Sequence, residues 1–237
     1  TVDKTTINIT DKYLGYKIKD GIVVPDTVNS GDVIRIDYVF DEIQTKELSY
    51  TIEFYKDYAE EPEEIITNTQ TVHILAEDII AIDKENIEIE NRYEGYNFDY
   101  IETARSEIAT YMDIPWVTLQ ELPTEVYDGA LIGVFYSKKT NLSYKVEYYF
   151  DGVKDDTLTE TYDNQTYETE ITTYTDKVKT GYKLDKVETL PMIIGVNENV
   201  LKVYYVTDEA QTKELSYTVE YYKDDVKVED DTQTVTK

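Results

Sequence analysis

Fifty aspartates and glutamates are the side chains of this sequence with the widest chemical reach. Two carboxyls facing each other across a cleft can hydrolyse a glycoside, and roughly six to eight oxygens gathered in one loop can hold calcium. With so many acids, close pairs arise by chance, and no pair is singled out by its spacing. The runs Asp155-Asp156, Asp224-Asp225 and Glu229-Asp230-Asp231 fall at turn-like positions. None has the spaced Asp-x-Asp-x-Asp-Gly pattern of a calcium loop, so they read as solvated turn acids and no cofactor is expected. His73 is the only histidine, which excludes a histidine-dependent triad or a multi-histidine metal site within one chain. It falls in a strand-like run, Thr71-Val-His-Ile-Leu75, and an incidental role is expected for it. Cysteine is absent, which removes disulfides, thiolate zinc sites and a cysteine nucleophile. On these grounds the chain is expected not to be an enzyme.

The aromatic residues are the better candidates for contact with a ligand. Tyrosine is abundant at 24 residues, whereas Trp116 is the only tryptophan. Both residue types bury apolar area while keeping a polar handle, which suits sugar or protein surfaces. The candidates are Trp116 and Tyr111, together with Tyr55, Tyr149 and Tyr222, which recur at one motif position. The competing use of the recurring tyrosines is cross-strand packing. Lys145 and Lys202 are candidates for an isopeptide cross-link, although no local signature marks the acid they would need.

These side chains are positioned by a chain that repeats itself. Asp41–Asp57 reads DEIQTKELSYTIEFYKD and Asp208–Asp224 reads DEAQTKELSYTVEYYKD, identical at fourteen of seventeen positions. A third copy of the core, SYKVEYYFDG, runs from Ser143 to Gly152. Residues 1–16 align without a gap on 81–96, sharing Asp3/Asp83, Ile9/Ile89, Tyr13/Tyr93 and Gly15/Gly95. Thr232–Val235 matches Thr69–Val72. The expected organisation is therefore the C-terminal part of a repeat (1–40), a full repeat (46–137), a shorter full repeat (141–206) and the N-terminal part of a repeat (213–237). The chain begins without Met or a signal-type segment, and reads as a piece of something longer.

The strand Tyr144-Lys-Val-Glu-Tyr-Tyr149 alternates, with Tyr144, Val146 and Tyr148 on the core face. Asp151-Gly152 signals a hairpin turn. The exchange of Phe54 for Tyr221 suggests that the ring edge at this inner position reaches the surface. Asp41–Leu48 and Asp208–Leu215 lack Gly and Pro, and read as short linkers with little slack. The middle repeat carries 18 more residues than the first between its Gly-Tyr turn and its proline, roughly 101–121. Ile101, Ala104, Ile108 and Met112 recur there at spacings of three and four, which predicts a short helix.

The formal net charge is -27, so nucleic acid and anionic membranes are poor partners. No apolar run is long enough for a membrane-spanning helix. The assembled pattern is Tyr-x-Val-x-Tyr-x-x-Asp-Gly at Tyr144–Gly152, then Gly181-Tyr-Lys-Leu184, Pro191 and the strand Val200–Val206. It resembles the MucBP-type (mucin-binding protein) repeats of Gram-positive bacterial surface proteins. The resemblance implies a β-rich α+β fold of tandem small β-grasp-like (ubiquitin-like) modules in an elongated rod. It also implies an extracellular place on the cell surface or cell wall. The implied role is a non-enzymatic adhesin segment, a stiff stalk making weak multivalent contacts with mucin or host glycoprotein and with neighbouring repeats of the same chain. The alternative is a dedicated lectin-like module with its glycan site in the middle-repeat insertion. The insertion and the acidity depart from the minimal pattern, and the charge removes long-range attraction to acidic mucins.

Overall fold

The computed structural model describes residues 1–10, 12–104 and 117–237. The chain divides into two compact units, Thr1–Lys138 and Lys139–Lys237. It is β-rich, and the helices of the described residues are two short 3-10 turns, at Lys4–Thr6 and Lys84–Asn86. These turns occupy aligned positions in the repeat.

The first unit contains β1 (Tyr16–Ile18), β2 (Tyr38–Phe40), β3 (Thr45–Lys56), β4 (Glu64–His73), β5 (Ile79–Ala81), β6 (Tyr96–Ala104), β7 (Val117–Leu119), β8 (Glu125–Tyr127) and β9 (Ala130–Lys138). Its main sheet has the order β4-β3-β9-β6-β7. The first strand, β3, pairs parallel with the last, β9, so that Tyr50 lies opposite Ala130 and Lys56 opposite Tyr136. All other pairings in this sheet are antiparallel. A parallel pair cannot be closed by a tight turn. Residues 74–129 make the crossover, supplying both β6–β7 and the apolar cover of the inner face. Ile80, Ile82, Ile87 and Leu122 pack there on Leu48, Tyr50, Ile52, Phe54, Ile101, Ile132, Val134 and Tyr136. The short pair β5–β8 ties the two ends of this cover together.

In the second unit, β10 (Leu142–Phe150), β11 (Val153–Lys154), β12 (Glu160–Gln165), β13 (Glu170–Ile171), β14 (Tyr182–Glu188), β15 (Met192–Ile193), β16 (Val200–Thr207), β17 (Ser216–Lys223) and β18 (Val226–Thr236) follow. The plan is the same. β10 pairs parallel with β16, β14 pairs antiparallel with β16, and β13–β15 takes the place of β5–β8. At Asp151-Gly152 both residues have positive φ, 48° and 80°, the geometry that suits a two-residue hairpin. β11 returns directly beside β10, as the turn signal predicts. The pair β1–β2 repeats the outer end of β6–β9, and β17–β18 repeats β3–β4.

The alternation on β10 is as read from the sequence, with Tyr144, Val146 and Tyr148 buried. Two expectations need correction. Phe54 does not reach the surface: its ring is 0% exposed, because Ile80, Ile82 and Ile87 belong to the core that closes over it. Its counterpart Tyr221 is 45% exposed on the two-stranded pair β17–β18. The predicted helix is also wrong where it begins. Ile101 and Ala104 lie on β6, opposite Val134 and Leu131, and β7 adds a fifth strand through Ile101↔Leu119. Pairing with β9 satisfies the backbone of β6 and buries Ile101 completely, which outweighs a weak three–four spacing. Ile108 and Met112 lie outside the described residues.

The tyrosines explain how so thin a module holds its cover. From the final strand, Tyr38 donates to the Ile9 carbonyl (2.7 Å) and Tyr136 to the Ile89 carbonyl (2.9 Å). Tyr205 accepts from the Lys177 amide (2.9 Å) and donates to Asp176. From the first strand, Tyr148 donates to the Thr175 carbonyl (2.6 Å), and Tyr50 accepts from the Asp83 amide (3.2 Å). Each ring crosses the apolar layer and its hydroxyl meets the backbone on the far side. That position needs the length of tyrosine and would leave phenylalanine without a bond.

Candidate functional site

Two features recur between repeats. One is a clamp built by the segments read as linkers. The Asp41 amide donates to the Gly15 carbonyl (2.9 Å), and the Gly15 amide donates to Gln44 Oε1 (2.8 Å). Gln44 Nε2 in turn donates to Asp41 Oδ2 (2.9 Å), and Lys17 Nζ stands 3.6 Å from Asp41 Oδ1. In the second unit the Asp208 amide donates to the Gly181 carbonyl (2.8 Å) and the Gly181 amide to Gln211 Oε1 (2.9 Å). Gln211 Nε2 donates to Asp208 Oδ2 (3.1 Å), and Lys183 stands 3.6 Å from Asp208. Gly15 and Gly181 have φ of +80° and +87°, which lets each turn its amide and its carbonyl toward the clamp.

The first clamp is reinforced by the next strand hairpin. His73 Nε2 lies 3.0 Å from the Asp41 carbonyl oxygen, and its ring stacks on Phe40 at 4.0 Å. His73 Nδ1 accepts from the Leu75 amide. The histidine read as incidental therefore joins residues 1–40 to the repeat that follows. Sequence held the signal for the clamp, since the Asp-Glu-x-Gln-Thr-Lys-Glu-Leu stretch recurs intact, but polarity and lack of Gly made it read as a linker.

The Asp41 carboxyl is held below the ordinary aspartate range, chiefly by its Gln44 bond and also by Lys17. Asp208 is lowered likewise, chiefly by Gln211. A depressed carboxyl stabilises the clamp fully above about pH 4 and loses that contribution as pH falls through the lower, folded value. Between pH 5 and pH 2.5 the Gly15 and Gly181 amides should thus lose hydrogen-exchange protection before core amides such as Ile132. Unchanged protection ratios across that range would contradict the assignment.

The other recurring feature lies on the sheet face opposite the core. Tyr55, Phe135 and Tyr100 sit side by side on β3, β9 and β6. Their rings are offset-stacked, with centroids 5.0 Å apart for Tyr55–Phe135 and 4.9 Å for Phe135–Tyr100. Tyr58 stacks at the margin of this row and donates to Asp99 (2.9 Å). In the next row along the strands Glu53 and Glu102 flank Gly133. A side chain on Gly133 would meet the Phe135 ring at 2.9 Å, so the glycine lets that ring settle onto the sheet. Tyr55 donates to Glu53 (2.5 Å), and burial together with this bond pushes its hydroxyl up to about 12.

The third repeat has the same rows with different partners. Tyr149 stacks on Tyr204 at 4.9 Å, and Lys186 occupies the position of Tyr100 with its ammonium 4.7 Å from the Tyr204 centroid. Below them Glu147 and Glu188 flank Lys202, in the place of Gly133. Lys154 and Lys186 pair with these two carboxylates at 2.7 and 2.6 Å.

Of the residues selected from sequence, Tyr55 and Tyr149 are members of these rows, packed across strands rather than standing free. Tyr222 is 61% exposed and donates to Glu220 (2.9 Å). Trp116 and Tyr111 lie outside the described residues. Lys145 is exposed, and Lys202 shares its row with Glu147 and Glu188. Asp155 caps Thr157 and pairs with Lys179, Asp156 pairs with Lys154, and Asp224-Asp225 form the turn between β17 and β18, whereas Glu229-Asp230-Asp231, expected at a turn, lies within β18, with Glu229 paired to Lys227. Among the described residues no three acidic or histidine side chains converge on a metal-sized site. Phe135, Gly133, Glu53, Glu102, Asp41 and Gln44 were not singled out by sequence. No protein-family model matches the chain, and no curated protein matches it.

Proposed function

We propose that this chain is a segment of tandem β-grasp-like modules whose task is to act as a stiff stalk on a bacterial surface protein, with weak contacts repeated along its length. The observation that carries this reading is the clamp of Asp, Gln, Gly and Lys present at both Asp41–Gln44 and Asp208–Gln211. A flexible tether needs no such device. A spacer that must hold direction does, because at each of these two clamps the last strand of one repeat is tied to the start of the next. The first-and-last parallel strand pair of each full repeat fits a β-grasp plan, and the resemblance to MucBP-type repeats supplies the surface location and the glycoprotein partner. Multivalency would let contacts too weak to matter singly act together.

The chain has no cysteine, so paired labels can be placed freely. Spin labels at Asp20→Cys and Glu61→Cys should give a narrow distance distribution in the otherwise unaltered chain. Gln44→Ala should broaden it severalfold while the core of residues 46–137 keeps its exchange protection. A broad distribution before any substitution would remove the stalk reading.

A further inference from the structure

We propose that β4 is the edge by which two copies of this chain join, its open side pairing antiparallel with β4 of a second copy. Nothing in this pairing depends on the stalk reading. β4 ends the order β4-β3-β9-β6-β7, so one of its sides has no neighbouring strand among the described residues. Within β3 the odd-numbered residues bond to the β9 side, as the Gly129 amide donating to the Ser49 carbonyl shows. The even-numbered ones are left for β4, in line with the Ile74 amide donating to the Gln44 carbonyl. Ile65, Thr67, Thr69 and Thr71 therefore turn their N–H and C=O groups to the open side, and all four are exposed.

An unpaired strand edge is a template for another chain, and proteins blunt such edges with short strands, charges, proline or bulges. The other long edges of this chain carry these devices. β12 contains Asp163 and pairs with β10 through a register shift. β14 carries Lys183, Asp185, Lys186 and Glu188, and its register is shifted too. β17–β18 is shifted and holds Glu220, Lys227 and the run Glu229-Asp230-Asp231. β4 runs against β3 from Thr45↔His73 to Phe54↔Glu64 without a shift, and from Ile65 to Val72 it has no charged residue and no proline. A second copy is the partner this suits. A strand paired with itself about a two-fold axis brings like residues together, so any charge would meet its own sign. With Thr67 opposite Thr69, Ile65 falls opposite Thr71, and all four open residues of each copy find an open partner. Asn68 then meets its own counterpart, and Glu64 meets Val72 rather than a second acid. A strongly basic or acidic partner would find no charge on this stretch to recognise.

The test uses the full chain in sedimentation equilibrium, where the average mass should rise with concentration from one copy toward two. Sodium chloride at about 0.5 M should strengthen the association, because it screens the repulsion between two acidic chains. The Thr67, Thr69 and Thr71 amides should gain exchange protection as the copies join. Thr69→Pro removes an amide that only the second copy would use, so it should weaken association about ten-fold or more while the Ile132 amide keeps its protection. Thr67→Lys/Thr69→Lys should leave the chain single, as should Thr67→Glu/Thr69→Glu, and mixing these two variants should restore a dimer through opposite charges facing across the axis. A single copy at every concentration in the high-salt buffer would overturn the proposal. So would charge variants that stay apart when mixed, or an association that protects β17–β18 instead and so places the contact on the last hairpin.

Discussion

Tyr136→Ala is expected to unfold the middle repeat or leave it barely folded, whereas Tyr136→Phe should leave it folded and measurably weaker. Tyr136 is 1% exposed on the central strand β9, opposite Lys56 of β3 and Phe98 of β6, and belongs to the same buried cluster as Phe54. Its ring meets Tyr93 edge-on at 5.0 Å and Phe98 at 6.1 Å, and its hydroxyl reaches the Ile89 carbonyl. Truncation to alanine deletes an aromatic core side chain, a loss of about 3–5 kcal/mol. A small domain has about 5–15 kcal/mol in all. The phenylalanine variant keeps the ring and loses one hydrogen bond, about 1 kcal/mol, with the Ile89 carbonyl left to find water. Urea denaturation followed by tyrosine fluorescence separates the two variants. If Tyr136→Phe cost as much as Tyr136→Ala, the ring packing argued here would not be the main term. Burial also raises the Tyr136 hydroxyl above its ordinary range. It should therefore ionise only when alkali opens the module.

Gly15→Val and Gly181→Val should differ sharply, although the two glycines do the same backbone work. Both hold φ near +80° to +87°, where a β-branched residue is strained by about 1–2 kcal/mol. Around Gly181 there is open space for a new side chain. Around Gly15 a Cβ would lie 2.5 Å from Leu75 Cγ and 3.1 Å from His73 Cε1. Leu75 is 46% exposed and can swing out, but the contact between residues 1–40 and the next hairpin goes with it. The expected result for Gly15→Val is an opened junction: fast exchange at the Asp41 and Gln44 amides and a shifted His73 ring resonance, with the main sheet intact. Gly181→Val should show a milder rise in exchange at Asp208 and Gln211. Equal responses at the two sites would mean that His73 and Leu75 add nothing to the junction.

The strands were legible in the sequence because period-two burial writes itself into residue type, as at Tyr144, Val146 and Tyr148. The repeat boundaries could be proposed because the copies diverged little. What stayed hidden were the features that depend on strand order. Glu53, Gly133 and Glu102 are up to 80 residues apart in the chain, and they share one row because β9 pairs in parallel with β3 and antiparallel with β6. Tyr55 was chosen for its recurrence, yet its neighbour Phe135 follows from the β3–β9 pairing and Tyr100 from the β6–β9 pairing. The clamp was visible as identity between two copies, but a hydrogen-bonding Gln at a glycine turn has the same letters as a polar spacer. The helix expected from Ile101 and Ala104 failed because pairing with β9 holds both residues in β6, opposite Val134 and Leu131, and so short an apolar spacing cannot tell the two periods apart.

The parallel pairing of β3 with β9 has a mechanical consequence. The strands run the same way, with β3 first and β9 last in the repeat. If the two ends of this repeat are pulled apart, β3 is drawn backward from its start and β9 forward from its end. The hydrogen bonds from Tyr50/Ala130 to Lys56/Tyr136 then take the tension in shear, all at once, rather than opening one after another like a zip. Rupture would require the whole row to slip together, carrying Ile52, Phe54, Ile132 and Val134 past each other in the core. The same holds for β10 and β16. A module that looks slight by its size is thus strongest along the one direction in which its neighbours in the chain can pull it.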